Sequence, residues 1–427
     1  LISIFSQWNL VCDRRFMKDM SQTIMVFGVM VGAMGFTMLS DNFGRKPIFL
    51  FSHMAMVVVG CITAFLNNYY AFCVFRFFAG ALQQGIILTG FVMACELFPA
   101  KYRTFAGMAI ENFWATGMCL LALWAYLIRN WRHLQLLISL LGLFAVPLFW
   151  FLPESIPWLC ANQRVEEAEE IIQKAAKFNN VPMPKRSKFP SSIIDKFRQT
   201  RKKSGPEAAR YTLLDVLRNR RLLSYATMMC FIWLVNNLVY YGLSFSTSAL
   251  AGDRYLNFFL SGLVEIPAYT SCIFILERFG RRWPLCIFHF IAGLFLAVTM
   301  FIPEVTEGGT DLRWLLITCN MIGKFGITGT FGIIFLYTPE IFPTTLRAQA
   351  MGIASLGGRI GNMMAPFADS LAAAVPWLPG ILFGALSLAA GLLVFFLPET
   401  LNRPLPQTIE DIENWSKKPA PKSSSME

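Results

Sequence analysis

The stretch Asp41-Asn-Phe-Gly-Arg-Lys46 recurs 236 residues later as Glu277-Arg-Phe-Gly-Arg-Arg282, and this recurrence decides how the chain is organised. Two further stretches recur in the same order, at offsets of 244 and 245 residues: Glu96-Leu-Phe-Pro99 with Arg103 returns as Glu340-Ile-Phe-Pro343 with Arg347, and Leu152-Pro-Glu154 returns as Leu397-Pro-Glu399. Three ordered pairs at a nearly constant offset indicate two homologous halves related in parallel.

The composition of the chain is that of a membrane protein. Of its 427 residues, 55% are hydrophobic and 15% charged, whereas about 25% charged residues are usual in a soluble domain. The 40 Phe, 20 Met and 11 Trp are spread along the whole length, so one soluble core could not bury them all. The sequence therefore predicts an all-α polytopic membrane protein.

About eleven segments are long and apolar enough to span a bilayer, which takes roughly 20 residues of helix. The predicted spans are 23–39, 48–66, 72–94, 105–128, 134–152, 223–245, 256–276, 285–302, 315–337, 348–367 and 378–397. The repeat offset carries the span 223–245 back to just before residue 1. We therefore expect two six-helix halves, with the first helix of the first half absent from this chain.

This reading divides the chain into five regions. They are the end of an extracellular loop (1–22), an N-terminal half with helices 2 to 6 (23–152), a cytoplasmic linker with short helices (153–222), a C-terminal half with helices 7 to 12 (223–397) and a cytoplasmic tail (398–427). The linker is predicted to hold a soluble helix at Arg164 to Lys177 and a short helix at Tyr211 to Leu222.

The net charge of +11 reflects orientation in the membrane. Alternating loops place 27 basic residues on one side and 7 on the other, with Arg76, Lys324 and Arg359 inside apolar segments. Without the long linker the ratio is still 12 to 7, so the basic side and the C-terminus are predicted to be cytoplasmic. We therefore expect the lipid bilayer, and not nucleic acid, as the partner of the basic residues.

Metal, cofactor and enzyme chemistry find no support in the residue pattern. The ten Cys form no CxxC pair and do not cluster with His53, His133 or His289. No nucleophile, base and orienting residue occur together in a recognisable spacing. We expect no metal, no cofactor and no enzymatic activity.

Several motifs together resemble the major facilitator superfamily and, within it, the organic cation, anion and zwitterion transporters of animals. These motifs are Trp8 to Cys12, Met38 to Arg45, Pro153 to Ser155, Val264 to Ala268, Gly323 to Gly326, Glu340 to Arg347 and Leu397 to Thr400. The resemblance implies the major facilitator fold and an alternating-access transporter in the plasma membrane. It also implies a small organic ion as substrate, and leaves open whether Na⁺ or H⁺ is a coupling ion.

The repeated polar motifs are gating candidates by this resemblance. Asp41 is predicted at the cytoplasmic end of a helix, where the helix dipole disfavours a carboxylate, so it needs Arg45 or a helix N-terminus as partner. In the family such motifs join the two halves and hold the cytoplasmic gate shut. The gating candidates are Asp41, Gly44, Arg45, Lys46, Glu96, Arg103, Glu154, Glu277, Gly280, Arg281, Arg282, Glu340, Arg347 and Glu399.

Three charged residues are predicted near the middle of the membrane. Glu265 lies 11 residues from Arg254, Lys324 lies 11 from Arg313, and Arg359 lies 12 from Arg347. At 1.5 Å per residue this is roughly 16 to 18 Å of depth. Because such charges are costly in a bilayer, they are usually functional.

Two polar and aromatic helix faces accompany these charges. One carries Lys324, Thr328, Phe331 and Phe335, and the other carries Trp233, Asn237, Tyr240, Tyr241 and Ser244. They fit either a cavity lining or interhelical packing, and the resemblance favours the lining for Tyr240, Tyr241 and Phe331. The candidate substrate-binding residues are Arg359, Lys324, Tyr240, Tyr241, Phe331, Phe335, Asn237, Trp114 and Glu265.

Arg359 is the most informative residue for substrate class. The resemblance implies an acid at this place in cation carriers and an Arg in anion and zwitterion carriers. We therefore expect small organic zwitterions or anions, carnitine-like or derived from amino acids, with Arg359 and Lys324 holding the carboxylate. An organic-cation facilitator that uses Glu265 or Glu111 is the alternative, and a sugar carrier or a non-transporting scaffold is more distant.

Overall fold

The chain forms helices and loops throughout the described residues in the computed structural model. These residues are 4–10, 14–98, 103–162, 164–181, 218–246, 253–303, 305, 309–343, 346–375, 377–401, 403, 406 and 412. Within these ranges the only β-type pairing is an isolated bridge between Val305 and Asp311. The prediction of an all-α protein is confirmed.

Nine helices precede residue 182 among the residues that the structure describes. They are α1 (Ile4–Trp8), α2 (Arg15–Phe43), α3 (Arg45–Phe65), α4 (Tyr69–Leu97), α5 (Arg103–Leu127), α6 (Trp131–Leu141), α7 (Leu148–Phe151), α8 (Ile156–Ala161) and α9 (Val165–Phe178). A 3₁₀ turn, Gly142–Ala145, separates α6 from α7. The linker helix that the sequence predicts at Arg164 to Lys177 corresponds to α9.

Seven helices follow residue 217 in the described part of the chain. They are α10 (Arg220–Ser246), α11 (Arg254–Phe279), α12 (Arg282–Val298), α13 (Arg313–Ile341), α14 (Arg347–Met364), α15 (Phe367–Ala374) and α16 (Leu378–Val394). A 3₁₀ turn, Thr299–Phe301, continues α12. Most of the predicted helix at Tyr211 to Leu222 lies outside the described residues.

Nine segments of the described chain are helical, long and apolar enough to cross a bilayer. They correspond to the first nine of the eleven predicted spans. The tenth and eleventh coincide with α14, of 18 residues, and α16, an apolar helix of 17 residues. The chain is a multi-pass helical membrane protein.

Side-chain caps explain where two of the long helices begin. The Asn68 side chain accepts hydrogen bonds from the backbone N–H groups of Tyr70 and Ala71 before α4. The Asp253 carboxylate does the same for Tyr255 and Leu256 before α11. Such caps satisfy N–H groups that have no partner within the helix.

The chain forms two compact units, described separately. One comprises Leu1–Phe27, Gly107–Leu134 and Tyr211–Glu427, and its buried hydrophobic core is contributed mainly by α10 to α16. Helices α10 and α14 pack very closely there, because a Cβ on Gly361 would lie 2.2 Å from the Leu234 carbonyl oxygen. Small residues permit this approach of helices in a membrane.

The second unit comprises Gly28–Ala106 and Gln135–Arg210. Within it α2 and α4 pack just as closely, since a Cβ on Gly28 would lie 2.1 Å from the Phe77 carbonyl oxygen. Helix α9 packs through Ala168 on Trp158 and Leu159 of α8. The boundaries of the predicted halves stay a prediction.

Candidate functional site

Lys324 and Glu265 form a fully buried ion pair in the first unit. Lys324 lies on α13 and Glu265 on α11, and 2.9 Å separates the Lys324 Nζ from Glu265 Oε1. The side chains are 1% and 0% exposed. Removing either partner would leave an uncompensated buried charge, which costs about 3–5 kcal/mol in proteins.

Two residues of α10 complete the surroundings of the lysine. The Lys324 Nζ donates to Ser244 Oγ at 2.6 Å and to the Tyr240 carbonyl oxygen at 3.3 Å. It also lies 3.5 Å from the centre of the Tyr240 ring, a cation–π arrangement. Glu265, Tyr240 and Ser244 are called the ammonium cage from here on.

A chain of hydrogen bonds leads from the cage to a partly exposed indole. The Tyr240 hydroxyl donates to Glu265 Oε2 at 2.9 Å, and Trp114 Nε1 of α5 donates to that hydroxyl at 3.1 Å. Tyr240 is 3% exposed, whereas Trp114 is 37% exposed. The buried carboxylate is thus two hydrogen bonds from the surface.

Aromatic rings from α10 and α13 surround Tyr240. The centres of the Phe331 and Tyr241 rings lie 5.0 and 5.1 Å from the centre of the Tyr240 ring. Phe335 follows at 5.4 Å from Phe331 and packs edge-to-face on Trp233 at 4.6 Å. The two predicted aromatic faces therefore meet each other, and both carry ring faces that can bind a cation.

Arg359 and Asn237 differ in what they contact. Arg359 of α14 is partly buried and interacts electrostatically with Tyr241. The Asn237 side chain donates to the Trp233 carbonyl oxygen at 2.9 Å and packs on Gly358 of α14. Of the two alternatives for Asn237, packing between α10 and α14 agrees with these contacts.

A second acid lies near the cage. Glu111 of α5 is within electrostatic range of Tyr269 and Glu265. With Lys324, Arg359, Glu265 and Glu111 all ionised, the formal charge of this region is zero. The sequence alone left Glu111 undecided, and Tyr269 was not recognised because it carries no charge and belongs to neither aromatic face.

The first repeated motif forms a cluster in the second unit, called here the first charged cluster (Asp41, Arg45, Glu96, Glu154 and Ser155). Glu154 Oε1 accepts from the backbone N–H groups of Arg45 and Lys46 at 3.0 and 3.2 Å. Arg45 pairs with Asp41 at 3.2 Å, and its Nη2 lies 4.0 Å from Glu96. The Ser155 hydroxyl donates to Glu96.

Its repeat forms a second charged cluster (Arg281, Arg282, Glu340, Glu399 and Thr400) in the first unit. Glu399 accepts from the backbone N–H groups of Arg281 and Arg282 at 2.9 and 3.1 Å. Arg281 contacts both oxygens of Glu340, with Nε at 3.0 Å and Nη2 at 3.1 Å. The Thr400 hydroxyl donates to Glu340 at 2.5 Å.

A glycine shortly before α3 and another shortly before α12 make the two charged clusters possible. Gly44 has φ 103° and Gly280 has φ 83°, values that L side chains rarely adopt. A Cβ would lie 2.5 Å from Glu154 Oε2 at Gly44 and 2.6 Å from Glu399 at Gly280. Each acid therefore sits in the space that the missing side chain leaves, against the N-terminus of α3 or α12.

Comparison with known proteins identifies the family. The family model described as "Sugar (and other) transporter" matches residues 17–411. The "Organic cation transporter protein" of Drosophila melanogaster is 40% identical, over 100% of this chain and 77% of that protein. The chain belongs to the major facilitator superfamily.

Within the superfamily it belongs to the organic cation, anion and zwitterion transporters. The human "Organic cation/carnitine transporter 2" is 34% identical over 96% of this chain and 72% of its own length. Mouse "Solute carrier family 22 member 4" is also 34% identical, over 97% and 72%. The protein is therefore a membrane transporter and not an enzyme.

Solved structures support the same fold. The inward-open xylose transporter XylE from E. coli has a TM-score of 0.70 to this chain, with 16% sequence identity. The match covers 94% of this chain and 90% of XylE. At this identity the likeness shows the major facilitator fold and nothing about substrate.

The contacts refine several residue predictions. The sequence assigned Lys324 to a substrate carboxylate, but its ammonium is engaged with Glu265. That the gating residues join the two halves stays a prediction. Ser155 and Thr400 had no predicted role, although their place after Pro-Glu in both repeats is a signal.

Three gating candidates have less support from contacts. Glu277 is exposed, and no ion pair includes it among the residues the structure describes. The side chains of Arg103 and Arg347 lie outside the described part. Lys46 and Arg282 take part through their backbone N–H groups, and Arg282 also donates from Nη2 to the Phe395 carbonyl oxygen at 2.5 Å.

Proposed function

We propose that this protein is an alternating-access carrier of small organic ions that bear an ammonium group, with carboxylate-bearing zwitterions preferred. The observation that carries the proposal is the ammonium cage beside a layer of aromatic rings, with Arg359 near Tyr241. An ammonium fits the carboxylate and ring faces, and a carboxylate fits the guanidinium.

The charge balance favours a zwitterion over a simple anion. Lys324 is paired with Glu265, so it contributes little net attraction for a second anion. With Glu111 also ionised, the four formal charges sum to zero, which suits a ligand whose own charges sum to zero. The names of two relatives, organic cation transporter and organic cation/carnitine transporter, agree with ammonium-bearing ligands.

An organic-cation facilitator is the second candidate. One observation favours it: the cage already holds a primary ammonium, that of Lys324. In that case Arg359 would not contact the substrate, and a cation without a carboxylate would be carried as well as a zwitterion.

Uptake by Arg359→Gln and Arg359→Asp separates the two candidates. We expect carnitine uptake to fall by about tenfold or more, since one charge-assisted contact contributes about 1.5–3 kcal/mol, while tetraethylammonium uptake persists. Uptake is normalised to the amount of protein at the cell surface. A wild type that carries mainly tetraethylammonium, with no change in either variant, overturns the preference for zwitterions.

We further propose that the basic side of the protein faces the cytoplasm of a plasma membrane and that both charged clusters lie there. Each cluster would stabilise a state in which the cytoplasmic ends of the helices are held together. To test whether Na⁺ or H⁺ is a coupling ion, uptake is measured with external Na⁺ replaced by K⁺ and, separately, at two external pH values.

A further inference from the structure

The ammonium of Lys324 has the surroundings expected of a bound ligand. It has three acceptors within 3.3 Å, from Glu265, Ser244 and the Tyr240 main chain, and an aromatic face at 3.5 Å. A primary ammonium has three N–H donors; Lys324 donates to Ser244 and to the Tyr240 main chain, and Glu265 supplies the opposite charge at 2.9 Å. Two of these contacts, the carboxylate and the aromatic face, are the ones that the proposed function assigns to a substrate ammonium.

Stability alone is a weak reason for such a pair. Lys324 and Glu265 are almost completely buried, and apolar residues of similar volume often replace a buried ion pair without loss. The pair is therefore better explained by a requirement for the carboxylate itself. A carboxylate that must bind a cation at one stage of a transport cycle needs a counter-ion at the other stages.

We propose that Lys324 is a tethered competitor for the ammonium cage, and that an arriving organic ammonium must displace it from Glu265 in order to bind. This inference rests on the proposed function. The hydrogen-bonded chain from the partly exposed Trp114 through Tyr240 to Glu265 marks the side from which the cation would approach. A cation that reaches the ring of Tyr240 is already beside the carboxylate that Lys324 occupies.

Displacement changes how three helices are held together. Lys324 of α13 bonds to Glu265 of α11 and to Ser244 of α10, so its release removes the polar contacts that it makes between these helices. Rebinding of the lysine restores them when the substrate leaves. The same exchange keeps Glu265 neutralised at every stage, so the carboxylate itself is never an uncompensated buried charge.

The test replaces the tethered ammonium with a free one. Lys324→Ala removes the lysine side chain, and 10 mM n-propylammonium is the probe. We expect it to raise the melting temperature of purified Lys324→Ala by roughly 3 °C or more and that of the wild type by less than about 1 °C. Neutral 1-propanol should have no such effect. The double variant Lys324→Ala/Glu265→Gln should not respond to either compound.

Folding failure does not remove the test. If Lys324→Ala is too unstable to purify, n-propylammonium in the growth medium should restore its surface level, while the double variant reaches the surface without it. Three outcomes would overturn the inference. They are equal stabilisation of wild type and variant, an equal effect of 1-propanol, and no effect of n-propylammonium on either melting temperature or surface level.

Transport kinetics give an independent reading. Without its competitor the Glu265 carboxylate is free to attract a carried cation, so the apparent KM for tetraethylammonium should fall about tenfold in Lys324→Ala, and this gain should vanish in the double variant. Because n-propylammonium binding is read as a melting temperature, it stands apart from transport. A wild type that carries neither carnitine nor tetraethylammonium contradicts the proposed function but not the cage exchange.

Discussion

The first and second charged clusters are built from the same repeated motif but hold their arginine differently. In both, an acid after Leu-Pro accepts backbone N–H groups at the start of a helix, and a hydroxyl one residue later donates to a second acid. Arg45 pairs with Asp41, which is 63% exposed, whereas Arg281 contacts both oxygens of the 21% exposed Glu340.

The comparison shows that the two charged clusters share one framework and differ in their ion pair. The framework consists of glycine, helix N-terminus and acid, and it depends on backbone geometry that both repeats retain. The ion pair depends on which acid the arginine reaches. A bidentate Arg–carboxylate contact is stronger than an exposed i, i+4 ion pair, which contributes about 0.3–0.5 kcal/mol.

The largest effect is expected from alanine at either glycine. Gly44→Ala and Gly280→Ala force a Cβ into a backbone conformation that costs about 1–3 kcal/mol and displace Glu154 or Glu399. We expect both variants to lower the melting temperature by roughly 5 °C, measured on detergent-purified protein. Gly35→Ala is a matched control, because a Cβ there has nothing within 4 Å.

An intermediate effect is expected from replacing the arginines with lysine. Lysine keeps the charge but cannot make the paired contact that Arg281 makes with Glu340. Arg281→Lys should lower normalised uptake of the carried substrate about tenfold or more, because one lost charge-assisted hydrogen bond costs about 1.5–3 kcal/mol. Arg45→Lys should change it less than about twofold. Equal losses in both variants would show that the two ion pairs are equivalent.

The smallest effects are expected at the two exposed acids. Asp41→Asn removes a mostly exposed partner of Arg45, and Glu277→Gln alters an exposed side chain. We expect Glu277→Gln to match the wild type in uptake and melting temperature. Asp41→Asn should differ by less than about 0.5 kcal/mol in the free energy of unfolding. A larger loss for Glu277→Gln than for Asp41→Asn contradicts this order.

The fold was predictable because the repeat and the apolar segments report on backbone constraints that hold along the whole chain. Two ordered sets of motifs indicated two halves, and helices long enough to span the bilayer occur where the apolar segments predict them. Helix α14 is polar enough that it does not meet the same criterion, since it carries Arg347, Gln349 and Arg359.

The site was predictable as a set of residues but not as a set of contacts. Depth counting brought Glu265, Lys324 and Arg359 to the same level, so it could not distinguish which of the two cations pairs with the acid. Which cation pairs with Glu265 depends on how α13 is rotated about its own axis. It also depends on the position of Ser244, one helical turn from Tyr240, which accepts a hydrogen bond from Lys324. Periodicity gives the face of a helix, whereas the neighbour of that face comes from packing.

The linker begins with a physical attachment to the first charged cluster. The Trp158 indole of α8 donates to the Asp41 carbonyl oxygen at 2.8 Å, and α9 packs on α8 through Ala168. At the other end of the chain, Arg221 of α10 donates to the Ile412 carbonyl oxygen. A fluorescent or spin label on α9 would therefore report on the Asp41–Arg45 region, and a label near residue 412 would report on the start of α10.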